Sequence, residues 1–168
     1  MLNFNYIFLS NGGSGMKVVT KHFGELDIDE EKIIKFPEGL PGFEDEKEFI
    51  IINNEDEENP FQWLQSVRNP NLAFVIINPF QIFPDYDIII PKTVQEKLRI
   101  EDEKDVAVYS IVVVPKDIKK MTVNLLGPLV INVKYKVGKQ VILDDSRYST
   151  KHYIFNQDTG VEKYANTY

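Results

Sequence analysis

The chain has 168 residues, no cysteine, and 26 acidic against 19 basic side chains, for a net charge of −7. That length suits one self-supporting domain. Without cysteine there is neither a disulfide framework nor a thiolate zinc site. The acidic balance argues against direct nucleic-acid binding, which needs clustered Lys and Arg, and no apolar run approaches the roughly 20 residues that span a bilayer.

Residues 1–15 hold a short apolar patch, Tyr6-Ile7-Phe8-Leu9, followed by Asn11-Gly12-Gly13-Ser14-Gly15. They lack the basic n-region and long apolar core of a signal peptide and read as a linker or an over-called start. From Met16 the pattern is short β-branched and aromatic runs punctuated by Pro, Gly and charge. Val18–Phe23 and Leu26–Ile28 are predicted strands around Gly24, and Ile33–Phe36 is another. Pro37-Glu38-Gly39-Leu40-Pro41-Gly42 is a dense turn.

Phe49–Ile52 reads as a buried strand, followed by the solvated loop Asn53–Pro60. Phe61–Val67 and Leu72–Asn78 flank the turn Arg68-Asn69-Pro70-Asn71 and predict a hairpin. Pro79 stops that strand. Phe80, Phe83, Tyr86 and two prolines then form an aromatic connection to a predicted strand Asp87–Ile90. One short helix is predicted over Thr93–Arg99, with Pro91 in its first turn and Val94 and Leu98 on one face.

Val106–Val114 is almost wholly apolar and reads as a central strand buried on both faces. Met121–Leu126 and Leu129–Val137 follow; Val137-Gly138-Lys139 turns the chain into Gln140–Leu143, and Asp144-Asp145-Ser146 turns it into Tyr148–Phe155. Residues 156–168 read as a loose C-terminal tail. The fold class is mainly β: a small antiparallel β-barrel-like or sandwich domain, residues 16–155, with one short helix.

Reactive constellations are scarce. His22 and His152 sit beside Lys21 and Lys151 in strand-like runs with no ligand partner nearby in sequence. No serine has a Gly-x-Ser-x-Gly context, and no glycine-rich loop leads into Lys-Ser/Thr. The chain is therefore read as a non-enzyme without a cofactor. In Phe61-Gln62-Trp63-Leu64-Gln65-Ser66, alternation sets Phe61, Trp63 and Gln65 on one face and Gln62, Leu64 and Ser66 on the other. Either one face exposes Leu64 or both are buried. Pro79–Tyr86 either caps the core or forms a protein-binding patch.

Phe36-Pro37-Glu38-Gly39-Leu40-Pro41-Gly42-Phe43 resembles the signature of the flagellar assembly factor FliW family. So do Trp63-Leu64-Gln65-Ser66, Phe74 through Pro79, Phe83-Pro84-Asp85-Tyr86, and Asn124-Leu125-Leu126-Gly127-Pro128-Leu129-Val130-Ile131-Asn132 followed by Gln140. The motifs run in order from Met16 to Phe155; Gly127 stands where a small residue such as Ala is expected. The resemblance implies a cytoplasmic β-barrel-like protein with two protein partners, flagellin and the basic RNA-binding regulator CsrA. FliW would relieve CsrA's repression of flagellin translation, and cytoplasmic flagellin would occupy FliW and restore it.

An acidic surface suits a basic partner. The acidic stretches Glu55, Asp56, Glu57, Glu58 and Glu101, Asp102, Glu103, Asp105 are the candidate CsrA contacts. Leu64, Phe80, Ile82 and Phe83 are the candidate groove for flagellin's amphipathic helical termini. The alternatives are a chaperone dedicated to flagellin, or a small-ligand-binding barrel, flavin among its ligands, which requires a deep pocket.

Overall fold

The computed structural model describes residues 15–155. β1 (Gly15–Thr20) and β2 (Gly24–Asp29) form an antiparallel hairpin in which Gly15 faces Asp29 and Thr20 faces Gly24. β3 (Ile34–Lys35), β4 (Glu48–Ile52), β5 (Phe61–Ser66) and β6 (Ala73–Ile77) follow. Two short helices come next, α1 (Pro79–Ile82) and α2 (Lys92–Lys97). The chain ends in β7 (Val106–Val113), β8 (Thr122–Val123), β9 (Leu129–Asn132), β10 (Val137–Gln140) and β11 (His152–Tyr153).

β3 to β7 are antiparallel neighbours in sequence order. β10 lies parallel to β3 through one residue pair, Val137 opposite Lys35, and antiparallel to β9. β9 then pairs with β7, from Val106 opposite Asn132 to Tyr109 opposite Leu129. This last pairing closes β3, β4, β5, β6, β7, β9 and β10 into a seven-stranded barrel. β7 is long enough to carry β8 on the remainder of the same edge, and β11 pairs with β8. The predicted small β-barrel is the architecture, with two short helices instead of one.

The interior is filled by side chains, with Phe36, Phe49, Leu64, Ile76, Leu129 and Ile131 at its centre. The outer face is covered on three flanks. The β1–β2 hairpin lays Val18, Leu26 and Ile28 on Ile50 and Ile52 of β4. α1 and the Phe83–Tyr86 segment cover Val75, Ile77 and Val112. α2 lays Val94 and Leu98 on Val130 and Val141. Strands buried on both faces lose the period-two alternation of a half-exposed sheet, which is why β4 and β6 read as continuous apolar runs; β7, predicted to be buried on both faces, is buried on the face of Val108, Ser110 and Val112 and half-buried on the other, with Val113 exposed. Each such Leu, Ile or Phe contributes about 1.5–3 kcal/mol on burial.

Several predicted elements are redrawn. Leu129–Val137 is not one strand: it breaks at Asn132, whose Oδ1 accepts from Lys134 N at 2.9 Å and Tyr135 N at 3.1 Å, and Lys136 takes φ 53°. Gly138 lies inside β10 and makes no turn; a Cβ there would sit 2.8 Å from the Phe36 ring, so the glycine admits a close approach. Pro79 starts α1, with Asn78 Oδ1 accepting from Phe80 N at 3.0 Å. Met121–Leu126 and Tyr148–Phe155 shrink to two-residue strands, and Asp87–Ile90 pairs with no strand among the described residues. Gly15, grouped with the excluded N-terminal segment, is the first residue of β1; residues 1–14 and the tail 156–168 lie outside the described residues.

Candidate partner-binding surfaces

The Phe36–Phe43 motif is a plug with a polar rim. Phe36 and Leu40 are buried in the barrel interior. Between them the chain turns through Gly39 N to Phe36 O at 2.8 Å, and then through Phe43 N to Leu40 O at 2.7 Å. Gly39 has φ +70°, and a Cβ there would lie 2.6 Å from Glu44 Cα, so both conformation and space demand glycine. On the outside, Glu38 pairs with Lys97 of α2 at 3.1 Å and with Lys139 of β10. The Lys139 hydrogen bond, then that of Lys97, holds the Glu38 carboxyl below the usual glutamate range. Glu38, Gly39, Pro41, Glu44, Lys139 and Gln140 line a shallow cleft of about 150 Å³, below the ~300–1,000 Å³ of ordinary small-molecule sites.

The Trp63–Ser66 motif is structural. The alternation assigns its faces correctly, but both faces are covered. Leu64 is 0% exposed inside the barrel. Gln65 Nε2 donates to the carbonyls of Ser66, Asn69 and Leu72 at 2.9–3.1 Å. Ser66 Oγ donates to Glu46 and accepts from Asn69 N. These bonds fix the β5–β6 turn. Trp63 packs against His22 at 5.0 Å and Phe23 at 5.4 Å between ring centroids, which docks the β1–β2 turn on the barrel.

The aromatic segment caps the core. Ile82 and Phe83 are buried, and Phe83 meets the His152 ring edge-on at 5.2 Å. Tyr86 Oη donates to Leu125 O at 2.8 Å. Burial, then the neighbouring Tyr148, pushes the Tyr86 hydroxyl above the ordinary tyrosine range, while Ser110 opposes this. Of the four predicted groove residues only Phe80, 45% exposed and packed on Tyr86, reaches the surface. Leu64, Ile82 and Phe83 form no groove, because strands and helices distant in sequence bury them.

The acidic segments are exposed. Glu55, Asp56, Glu57 and Glu58 all face solvent between β4 and β5, and Asp56 Oδ1 accepts from Glu58 N at 3.0 Å. Glu101, Asp102 and Glu103 are exposed ahead of β7, and Asp105 is half-buried. Strand polarity brings both segments to one end of the barrel, since Phe61 faces Ile77, Ile77 faces Ser110, and β7 begins beyond them. Their settings differ. Lys104 bonds the Asp102 side chain and lowers its pKa, and Asp105 O accepts from Val133 N, the first residue of the turn that carries Lys134 and Lys136. The 55–58 loop has no cation between Asn53 and Pro60.

Sequence reasoning quotes Asn124, Gly127, Asn132 and Gln140 as motif letters and misses their work. Asn132 is fully buried and makes four bonds: Nδ2 donates to Leu98 O and Arg99 O at 3.0 and 2.9 Å, and Oδ1 takes the two amides of the next turn. It ties the end of α2 to the barrel. Gly127 N bonds Asn124 Oδ1 and Gly127 O accepts from Gln140 Nε2, both at 2.8 Å. An alanine Cβ at 127 would meet both amide nitrogens at 3.0 Å, so glycine is the easier fit here.

A family model described as "FliW protein" matches residues 17–154. The flagellar assembly factor FliW of Alkaliphilus metalliredigens is 54% identical over 151 residues, covering 90% of this chain and 93% of that protein. That of Caldicellulosiruptor saccharolyticus is 48% identical, covering 87% and 95%. A crystal structure of the flagellar assembly factor FliW superposes with a TM-score of 0.78 at 43% identity, over 85% of this chain and 99% of that one. Sequence, motif order and barrel agree, and the chain belongs to the FliW family of flagellar assembly factors.

Proposed function

We propose that this chain is a cytoplasmic partner-switching regulator that works by binding, without a cofactor. It holds CsrA, relieving repression of flagellin translation, and flagellin displaces CsrA from it. The observation that carries the reading is the placing of two exposed carboxylate segments, Glu55–Glu58 and Glu101–Glu103, at one end of a packed barrel. Such a field speeds encounter with a basic protein and repels phosphate brought near it. Family membership supports the same reading. A barrel that binds a small ligand is disfavoured, since the interior such a ligand would occupy is filled by Phe36, Phe49, Leu64 and their neighbours.

The test measures CsrA affinity against salt for the native chain and for a variant carrying Glu55→Gln, Asp56→Asn, Glu57→Gln and Glu58→Gln. We expect affinity to fall with salt and the variant to bind about tenfold more weakly, mainly through slower association. Flat salt dependence with unchanged affinity would remove the electrostatic reading. Flagellin added to the preformed CsrA complex should release CsrA; a stable ternary complex would sink the switch.

A further inference from the structure

Between α1 and α2, Asp87-Ile88-Ile89-Ile90 alternate in exposure as a strand does, outside any sheet of the described residues. Ile88 and Ile90 turn inward, against the cluster that contains Val94, Leu98 and Val141. Ile89 turns out and is 84% exposed. Both ends are held. The Tyr148 hydroxyl accepts from Asp87 N at 2.8 Å and donates to Asp87 O at 3.0 Å. Gln95 Nε2 donates to Ile90 O at 2.8 Å, and Pro91 leads directly into α2. Between these clamps the N–H groups of Ile88, Ile89 and Ile90 and the carbonyls of Ile88 and Ile89 make no hydrogen bond within the described residues.

A bare strand edge is a template for another chain, and proteins ordinarily blunt one with lysine, proline or a bulge. Here the outward residue is isoleucine. A second outward isoleucine, Ile142, 65% exposed, stands on the same flank: its neighbours Val141 and Leu143 face inward into the cluster that takes Ile88 and Ile90. We propose that Asp87–Ile90 is a docking strand that takes up an extended, basic polypeptide segment by strand addition. The ladder of open amides and carbonyls sets the conformation of the occupant, and the two isoleucines ask for apolar side chains at alternate positions. Charge sets its sign. Asp85, Asp87 and Asp144 are exposed beside the segment, and the Asp145–Tyr148 turn reaches it through the Tyr148 hydroxyl. Arg147 is engaged by Asp145 at 2.7 Å. A second copy of this chain would bring the same acids and the same net charge against itself. The inference is independent of the partner switch and can stand or fall alone.

The probe is an acetylated, amidated peptide of alternating Val and Lys, about eight residues long, matching the length of an ordinary strand. It is titrated into the full chain, with hydrogen exchange followed at residues 87–90. We expect saturable binding that weakens with salt and slowed exchange at the amides of one edge only, Ile89 or else Ile88 with Ile90, because alternate N–H groups of a strand point to opposite sides. The same peptide N-methylated at alternate residues should bind at least about tenfold more weakly. Ile89→Pro removes the open amide of the Ile89 edge and, where that amide is the one protected, should cost about as much with the Trp63 fluorescence of the fold unchanged. If Ile89→Pro unfolds the chain, the N-methylated peptide alone decides. No binding at millimolar peptide, or equal binding of the methylated peptide, would overturn the proposal. So would a dimer of the native chain that Ile89→Pro dissolves, since a second copy would then be the occupant.

Discussion

Asn132 spends all four of its hydrogen-bonding valences inside the protein, two on the carbonyls of Leu98 and Arg99 just past α2 and two on the turn after β9. Removing it strands both sets, and an unsatisfied buried polar group costs about 1–3 kcal/mol. Asn132→Ala should therefore destabilise by about 3 kcal/mol, a Tm loss of about 6–12 °C for a domain of this size, read by thermal unfolding. Asn132→Asp should cost more at neutral pH, because it keeps the acceptor, loses both donors and points a charge at two carbonyls. Glu38 gives a pH-dependent case. Its carboxyl is held below the usual glutamate value of 4.5 by Lys139 and Lys97, so its contribution is complete above that pH and fades as pH falls through the lower folded value. Glu38→Gln should flatten the acid limb of stability below about pH 4.5 and leave neutral stability little changed, as suits an exposed pair. The sequence disclosed these positions as letters of a motif; apart from the turn that Asn132 caps, their partners lie 33 to 101 residues away, so that bonding could not be read from local pattern.

At the scale of elements, what local pattern controls was legible and what contact controls was not. The β5–β6 hairpin announces itself through Arg68-Asn69-Pro70-Asn71, and α2 through Pro91 and the spacing of Val94 and Leu98. α1 has only four residues, too few for a helical period, and its signal was the cap Asn78 before Pro79. Whether Leu64 reaches solvent stayed open in the sequence because the residues that meet it inside the closed barrel, Phe36, Leu129 and Ile131 among them, are distant in sequence. The predicted strand Leu129–Val137 runs on through the turn after Asn132, and β10 reads as a turn because Gly138 resembles a turn residue, whereas it makes room for Phe36. The β1–β2 hairpin is a two-stranded sheet of its own, docked by Val18, Leu26, Ile28 and the Phe23–Trp63 contact. Phe23→Ala should speed amide exchange in β1 and β2 well before that of β4–β7, because the hairpin gains little from its own ladder. Uniform acceleration across the barrel would show that the hairpin is not a separate cooperative unit.

For the molecule as a whole, the mainly β class and the small barrel were legible from about ten short runs with turn signals between them. The closure was not: it depends on β7 meeting β9 and on β3 meeting β10 in parallel, and no local pattern encodes either pairing. A barrel closed by such distant pairs has high contact order, so refolding followed by Trp63 fluorescence should take milliseconds to seconds; a microsecond main phase would contradict this topology. The candidate site was legible in part. Runs of acid must be solvated, so Glu55–Glu58 and Glu101–Glu103 were findable, whereas the apolar contacts were not, since whether Leu64, Ile82, Phe83 or Ile89 reaches water is decided by what packs over them.

The hoop of strands is fastened very unevenly around its circumference. Where β3 meets β10 the join is a single residue pair and the Lys35 N to Lys136 O bond, reinforced by Phe36 lying across Gly138 and by Glu38 clasping Lys139. A ring parts at its thinnest stitch, so the native state should breathe there first. Acid that undoes the Glu38 clasp, or bulk that lifts Phe36, would widen the same slit.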